Sequence, residues 1–274
     1  MDAVLPAMFR MKFMKHALLA ILLLTPLLSL LGTMAVNRKM AFFSDALGHS
    51  ALAGVGLGVL LGIENETLCM LLFGLFWAVG ISRINRSGRV SADTTISVFS
   101  STGIALGLLI LSRHSSFGKY NSLLVGDVLS ITPRDLAFLA LTLAAGIVLW
   151  ALMYNRLLLT AVSEPLARSR GVRTALMETL FVCMVAVAVM LSIRWVGVLL
   201  INALLILPAA AGRNIARNDR QHALLSVAAG LVSGVTGLCL AYAMDTGVGA
   251  AVVACAAVLY LLSLIPDLAS RMHQ

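Results

Sequence analysis

The sequence predicts an all-α protein, a polytopic bundle of transmembrane helices with eight or nine membrane spans. Three observations predict it. Hydrophobic residues make up 60% of the 274 and charged residues only 12%, whereas soluble domains carry about 25% charged residues. The mean hydropathy is +0.99. Apolar stretches of about 20 residues, the number that spans a hydrocarbon core, recur along the chain between short polar loops. No polar region is long enough to fold as a separate soluble domain, so residues 1–274 read as a single transmembrane domain. The net charge of +8 and the pI near 9.9 do not signal nucleic acid. The basic residues are dispersed among the loops, as membrane orientation requires.

Residues 1–15 mix apolar residues with Arg10, Lys12 and Lys15. Met8, Met11 and Met14 recur at every third position, a pattern open to soft-metal binding but better suited to an interfacial helix with adaptable apolar side chains. The run 16–36 has the flavour of a secretory signal. Its length, the Asn37-Arg38-Lys39 that follows and the spans beyond make it the first membrane helix instead. The second span covers 42–62 and carries Asp45 and His49. After a Glu64-Asn65-Glu66 turn, the third covers 67–81. Ser91-Ala92-Asp93-Thr94 opens the fourth span, which runs to 112, and Asp93 reads as its N-cap rather than a ligand.

From 113 to 134 lies the longest polar segment, with Gly126-Asp127 and Pro133, part of it packed as a short helix or re-entrant piece. The fifth span covers 135–154. A basic loop at 155–173 follows, in which Ser163-Glu164-Pro165 starts a short helix with Glu164 at its cap. The sixth span covers 174–193. The stretch 196–211 is apolar but short, ends at Pro208-Ala209-Ala210-Ala211-Gly212, and leaves the count between eight and nine. The last spans cover 223–242 and 247–265, separated by Met244-Asp245-Thr246. Gly54/Gly58, Gly58/Gly62, Gly103/Gly107 and Gly230/Gly234 have the spacing that lets helix backbones approach closely. Cys69, Cys183, Cys239 and Cys255 lie singly in apolar spans and read as small core residues.

Lysine and arginine bias orients the chain. The loops at 37–39, 83–93, 155–173 and 213–220, with the C-terminus, hold most of the basic residues and belong on the cytoplasmic side. The opposite loops hold Arg113, Lys119, Arg134 and Arg194. Arg10, Lys12 and Lys15 then fall on the outer side, against the trend. In this orientation Asp127 and Asp245 lie at the outer face, where they could attract cations, dock a partner or serve as loop structure.

The chemistry concentrates on Asp45 and His49. Their i, i+4 spacing puts both on one helix face about one turn apart. Ionisable groups at membrane depth are costly and face a bundle interior or cavity. Carboxylate oxygen with imidazole nitrogen suits a borderline divalent cation such as Zn²⁺, Mn²⁺ or Fe²⁺. Two ligands do not make a tight site, and that suits a path from which an ion must be released. Water or a second copy in a symmetric dimer would complete the shell. The competing reading is a mutually bonded pair that fills a buried polar gap, an expensive device where packed apolar residues would serve. A third is a proton relay in a secondary, proton-coupled cation carrier. A membrane scaffold that transports nothing is a fourth.

Gly54-Val55-Gly56-Leu57-Gly58 is not a phosphate loop, since no GxxxxGK[ST] occurs anywhere in the chain. ATP-driven work would therefore need a partner chain. Leu207 to Arg217 presents small residues beside Arg213 and Arg217, either a short helix that seats in another protein's groove or a plain helix end with positive-inside charge.

The run Met40-Ala41-Phe42-Phe43-Ser44-Asp45-Ala46-Leu47-Gly48-His49-Ser50-Ala51-Leu52-Ala53-Gly54 resembles the signature of the zinc/manganese/iron ABC-transporter permeases, the family containing the zinc uptake permease. Further stretches are similar to the same family in the same order: Ala92-Asp93-Thr94-Thr95-Ile96, Leu124-Val125-Gly126-Asp127-Val128-Leu129, Glu164-Pro165-Leu166-Ala167 to Gly171-Val172, and Val196-Gly197-Val198-Leu199-Leu200 to Leu207-Pro208-Ala209-Ala210-Ala211. The resemblance runs from about residue 5 to 265. Gly48 departs from a usual Ser, Ser97 from a common Gly and Glu164 from a common Asp, but Asp45 and His49 are retained.

The resemblance implies a multi-pass permease subunit of an importer in the bacterial cytoplasmic membrane. It would transport Zn, Mn or Fe, hold no permanent cofactor and be no enzyme itself. It implies a homodimer, separate cytoplasmic ATPase subunits and an extracytoplasmic metal-binding protein. Asp45 and His49 would contact the metal in transit. A cytoplasmic coupling loop at 208–221, with Pro208, Gly212, Arg213 and Arg217, would meet the ATPase.

Overall fold

The computed structural model describes residues 11–113, 126 and 128–265. Among them lie nine α-helices: α1 Lys12–Asn37, α2 Phe43–Leu61, α3 Glu66–Arg86, α4 Ala92–Arg113, α5 Pro133–Val162, α6 Glu164–Ser169, α7 Thr174–Ile215, α8 Asp219–Met244 and α9 Val248–Ser263. One 3₁₀ turn, Val128–Ser130, precedes α5, and no strand occurs among the described residues. Seven helices are long and apolar enough to cross a membrane, and α9 is a shorter apolar helix. The 42-residue α7 is interrupted at Gly197 (φ 78°, ψ 159°), so the stretches expected at 174–193 and 196–211 are its two halves. The seven long helices, one more for that break, and α9 make nine apolar helical segments.

Several helices outrun the expected spans. α3 continues to Arg86, α5 to Val162, and α8 begins at Asp219. Hydropathy marks the membrane core, whereas backbone hydrogen bonding continues until a breaker or cap intervenes. Arg83 and Arg86 in the last turn of α3 also sit well against its negative end.

The caps are local and readable. Asn65 accepts from the Leu68 amide at 3.0 Å to start α3, and Asn218 accepts from the Gln221 amide at 2.8 Å to start α8. For α4 the cap is Ser91, whose Oγ accepts from the Thr94 amide at 3.2 Å. Asp93 lies instead in the first turn, where a carboxylate favours the helix N-terminus. Ser163, not Glu164, caps α6. Glu164 pairs with Arg168 at 2.6 Å and accepts from Thr174 at 3.1 Å. These bonds, Arg168 first, hold its carboxyl below the usual carboxylate range. Their contribution is present above that range and is lost as pH falls through the lowered value. Gly62 (φ 67°) has nothing among the described residues within 4 Å of a Cβ position. It is the left-handed C-cap of α2, not half of a packing pair with Gly58.

The chain divides into two compact units. The first comprises Met1–Val36, Val125–Ala145 and Trp195–Gln274. In it α1 packs against the second half of α7, with Gly32 set directly on the Leu205 carbonyl. Gly230 of α8 meets Thr25 and Ser29. The 208–221 segment, expected as a loop, is helical through Ile215. Pro208 removes the amide that would bond the Leu204 carbonyl, and Ser29 Oγ donates to that carbonyl at 3.5 Å. A neighbouring hydroxyl thus takes over the freed acceptor, the condition under which proline survives inside a membrane helix.

The second unit comprises Asn37–Leu124 and Gly146–Arg194. Gly54 meets the Met70 Cα at 2.9 Å and Gly58 the Cys69 Sγ at 2.9 Å, measured from a Cβ position, so α2 lies against α3 at backbone distance. Trp77 of α3 stacks on Phe73 at 4.9 Å and donates its indole N–H to the Phe99 carbonyl of α4 at 3.2 Å. Arg38 binds the Thr160 hydroxyl and lies over the Phe181 ring at 5.4 Å.

Candidate functional site

Asp45 occupies the first turn of α2 and His49 the next. Neighbouring positions of that helix, Ala46, Leu47 and Ser50, are buried, so the pair sits on a helix anchored by its apolar side. His49 Nε2 lies 3.4 Å from Asp45 Oδ2, with the histidine side chain 25% and the aspartate 41% exposed. Both groups therefore reach open space from inside an apolar span. Ser100 Oγ of α4 donates to the same Asp45 oxygen at 3.4 Å. His49 Nδ1 is buried and makes no hydrogen bond among the described residues.

Two glycines place α4 there. A Cβ at Gly103 would lie 3.2 Å from the Ser50 Cα and N and 3.5 Å from the His49 carbonyl carbon. One at Gly107 would lie 2.7 Å from the Leu52 Cβ and 2.9 Å from the Ala53 N. Glycine at these positions brings Ser100, one turn before Gly103, to the carboxylate. Gly107→Ala must part the helices, and is expected to cost about 1–3 kcal/mol by overpacking. Thermal unfolding of the detergent-solubilised protein, compared with Gly80→Ala on α3, checks it. A Cβ at Gly80 meets only the Phe99 ring, at 3.2 Å.

Ser100 is the site residue that sequence reasoning missed. Its signal is a run of hydroxyls, Ser100-Ser101-Thr102, inside an apolar span. Among the described residues, no group of three or more His, Cys, Asp or Glu could hold a metal. This region therefore offers an ion one carboxylate and one imidazole, a set matched to borderline divalent cations and too small for a closed structural site.

The other expected residues lie elsewhere. Pro208 and Gly212 are buried in α7, Arg213 is exposed in its last turn, and Arg217 is exposed in the link to α8. Arg213 Nη1 lies 3.9 Å from Asp219 Oδ1. A Cβ at Gly212 would lie 2.9 Å from the Ser226 N, and His222 Nε2 bonds the Ala209 carbonyl at 2.9 Å. The region is a tight helical corner between α7 and α8. Asp245, exposed, is the left-handed C-cap of α8 (φ 51°), its N–H bonded to the Ala241 carbonyl. Asp127 lies outside the described residues, as do residues 1–10 of the expected N-terminal segment.

Membrane-spanning helices in this number, with an ion-compatible pair set in one of them, define a multi-pass membrane transport protein. The ABC 3 transport family model matches residues 10–267, and the chain belongs to that family. It is 34% identical over 252 residues to the high-affinity zinc uptake system membrane protein ZnuB of Haemophilus influenzae, covering 90% of this chain and 95% of that one. To the manganese import system permease protein ScaB of Streptococcus parasanguinis it is 29% identical, covering 92% and 89%. A chain of the solved structure of PsaBC from Streptococcus pneumoniae in complex with Fab superposes with a TM-score of 0.83 at 26% identity, covering 96% of this chain and 95% of that one. The protein is a permease subunit of an ATP-binding-cassette transporter in the bacterial cytoplasmic membrane.

Proposed function

We propose that this chain is the membrane subunit of an ATP-driven importer of divalent transition metals, with zinc, manganese and iron as the candidate cargoes. The observation that carries the metal reading is the Asp45–His49 pair, backed by Ser100, on an otherwise apolar helix, in a chain akin to zinc and manganese uptake proteins. Asp45 and His49 contact the ion in transit. Two ligands bind weakly enough for passage, and water or a second copy of the chain supplies the rest.

The chain works as a homodimer with two separate ATPase subunits and an extracytoplasmic metal-binding protein. ATP hydrolysis belongs to the partner chains, because no phosphate loop occurs in this sequence. The corner bearing Pro208, Gly212, Arg213 and Arg217 meets the ATPase. Its small residues allow close seating, and its arginines are exposed on the side that carries most of the basic loops. The charge bias of the loops assigns Asp127 and Asp245 to the outer side, where the delivering protein would dock.

The test is uptake of radioactive Zn²⁺, Mn²⁺ and Fe²⁺, in competition, by proteoliposomes holding the permease with its ATPase subunits and binding protein. Uptake should require ATP, persist when the proton gradient is collapsed, and show which metal competes best. Uptake that follows the proton gradient without ATP would instead establish a secondary carrier with Asp45 and His49 as its relay.

A further inference from the structure

A second polar site lies in the unit that carries Asp45 and His49, at the junction of α5, α6 and α7. Arg156, Arg170, Gly171, Val172, Arg173, Leu176 and Met177 line a cavity of about 360 Å³. The three guanidiniums all have exposed residues, and none makes an ion pair among the described residues. The acidic neighbour Glu164 is already engaged by Arg168 and Thr174. Three arginines thus line one concavity, none of them ion-paired among the described residues, beside the positive N-terminal end of α7.

The apolar surroundings narrow the ligand. On α5, Val148 and Leu152 precede Arg156 at i, i+4 spacing and therefore share its face, and they are 58% and 73% exposed. On α7, Leu180 lies one turn beyond Leu176 on the same face, and both are exposed. Each helix therefore carries an exposed apolar rail that leads away from the charged pocket along a membrane-spanning segment. A soluble anion would use the arginines and leave the rails idle. A molecule with a phosphodiester head and two acyl chains would use both, the head held by guanidinium forks and the chains laid along α5 and α7.

We infer that this pocket binds the phosphodiester headgroup of an anionic phospholipid. Basic pockets between membrane helices bind such headgroups. The site is separate from the Asp45–His49 pair and from the α7–α8 corner, so it would act on the stability or gating of the unit, not on the ion directly.

The test is native mass spectrometry of the full chain, delipidated in detergent and titrated with phosphatidylglycerol, phosphatidylcholine or inorganic phosphate. Wild type is compared with Arg156→Gln/Arg170→Gln and with a charge-matched control, Arg83→Gln/Arg89→Gln. Phosphatidylglycerol should bind at least about tenfold more tightly than phosphatidylcholine. That preference should fall about tenfold in the pocket variant and persist in the control, with phosphate at millimolar concentration unable to compete. Equal loss in both variants would reduce the effect to bulk charge and overturn the site. Competition by phosphate alone would make it a small-anion site. Unchanged lipid binding with lost co-purification of the ATPase subunits would make it a protein-docking surface. Matched melting temperatures of the two variants show whether the pocket variant is folded. Arg156→Lys/Arg170→Lys, which keeps the charge and loses the fork, should recover part of the preference.

Discussion

Asp45→Ala and His49→Ala are each expected to reduce metal uptake by about 100-fold or more, since even the outer partners of metal ligands cost roughly 10–100-fold when removed. Stability should change little by comparison. The pair is part-exposed, its atoms are 3.4 Å apart, and an ion pair of that kind contributes at most about 1 kcal/mol. The two readings of the pair therefore separate cleanly. If it serves transport, uptake collapses while membrane abundance, melting temperature and ATPase co-purification stay near wild type. If it only fills a polar gap, uptake follows abundance, and a variant matched for expression transports normally. Ser100→Ala supplies the graded case. Ser100 donates to Asp45 without offering an ion a strong ligand, so its loss should cost about tenfold and should leave the order of metal preference unchanged. Isotope uptake in cells expressing each variant at matched levels checks all three.

Much of the architecture was legible because membrane helices declare themselves locally. A run of about 20 apolar residues must bond its backbone internally in lipid, and only a helix does that within one segment. Asp45 and His49 stood out for the same reason, as ionisable residues one turn apart in such a run. What stayed hidden depends on partners distant in sequence. Ser100 becomes a partner of Asp45 only because Gly103 and Gly107 bring α4 against α2. Pro208 looks like a terminator until Ser29, far away in the chain, bonds the Leu204 carbonyl. Gly58 and Gly62 share the spacing of a packing pair, yet one touches Cys69 and the other only caps α2. Asp93 and Glu164, the caps expected from sequence, lie two and one residues past the true caps. Ser91 and Ser163 hold those positions with shorter side chains that reach the first-turn amides. The clustering of Arg38 with Thr160 and Phe181 likewise joins residues that no local pattern connects.

The largest structural effect is expected at the break in α7, where Gly126 meets the Val196-Gly197 backbone. Gly197 adopts φ 78°, ψ 159°, a region essentially closed to residues with a Cβ, so Gly197→Ala should cost about 1–3 kcal/mol by strain alone. Gly126 is also left-handed (φ 74°), and a Cβ there would overlap the Val196 carbonyl and the Gly197 nitrogen. Gly126→Ala therefore combines strain with a clash against backbone, which cannot swing aside as a side chain can. The two terms together come to about 3 kcal/mol or more. For a chain of this size that is a fall of roughly 6–12 °C in melting temperature, a large share of a typical 5–15 kcal/mol total, to order of magnitude. Gly171→Ala is the control. It has the same φ of 74° but nothing among the described residues within 4 Å of its Cβ position, so it meets the strain without the clash and should lose only about 1–2 kcal/mol. Non-helical backbone persists at membrane depth only where protein encloses it, and Val196 and Val198 are buried on either side of Gly197. If Gly126→Ala melts no lower than Gly171→Ala in detergent, the close backbone contact between Gly126 and Gly197 is not what holds the break in α7.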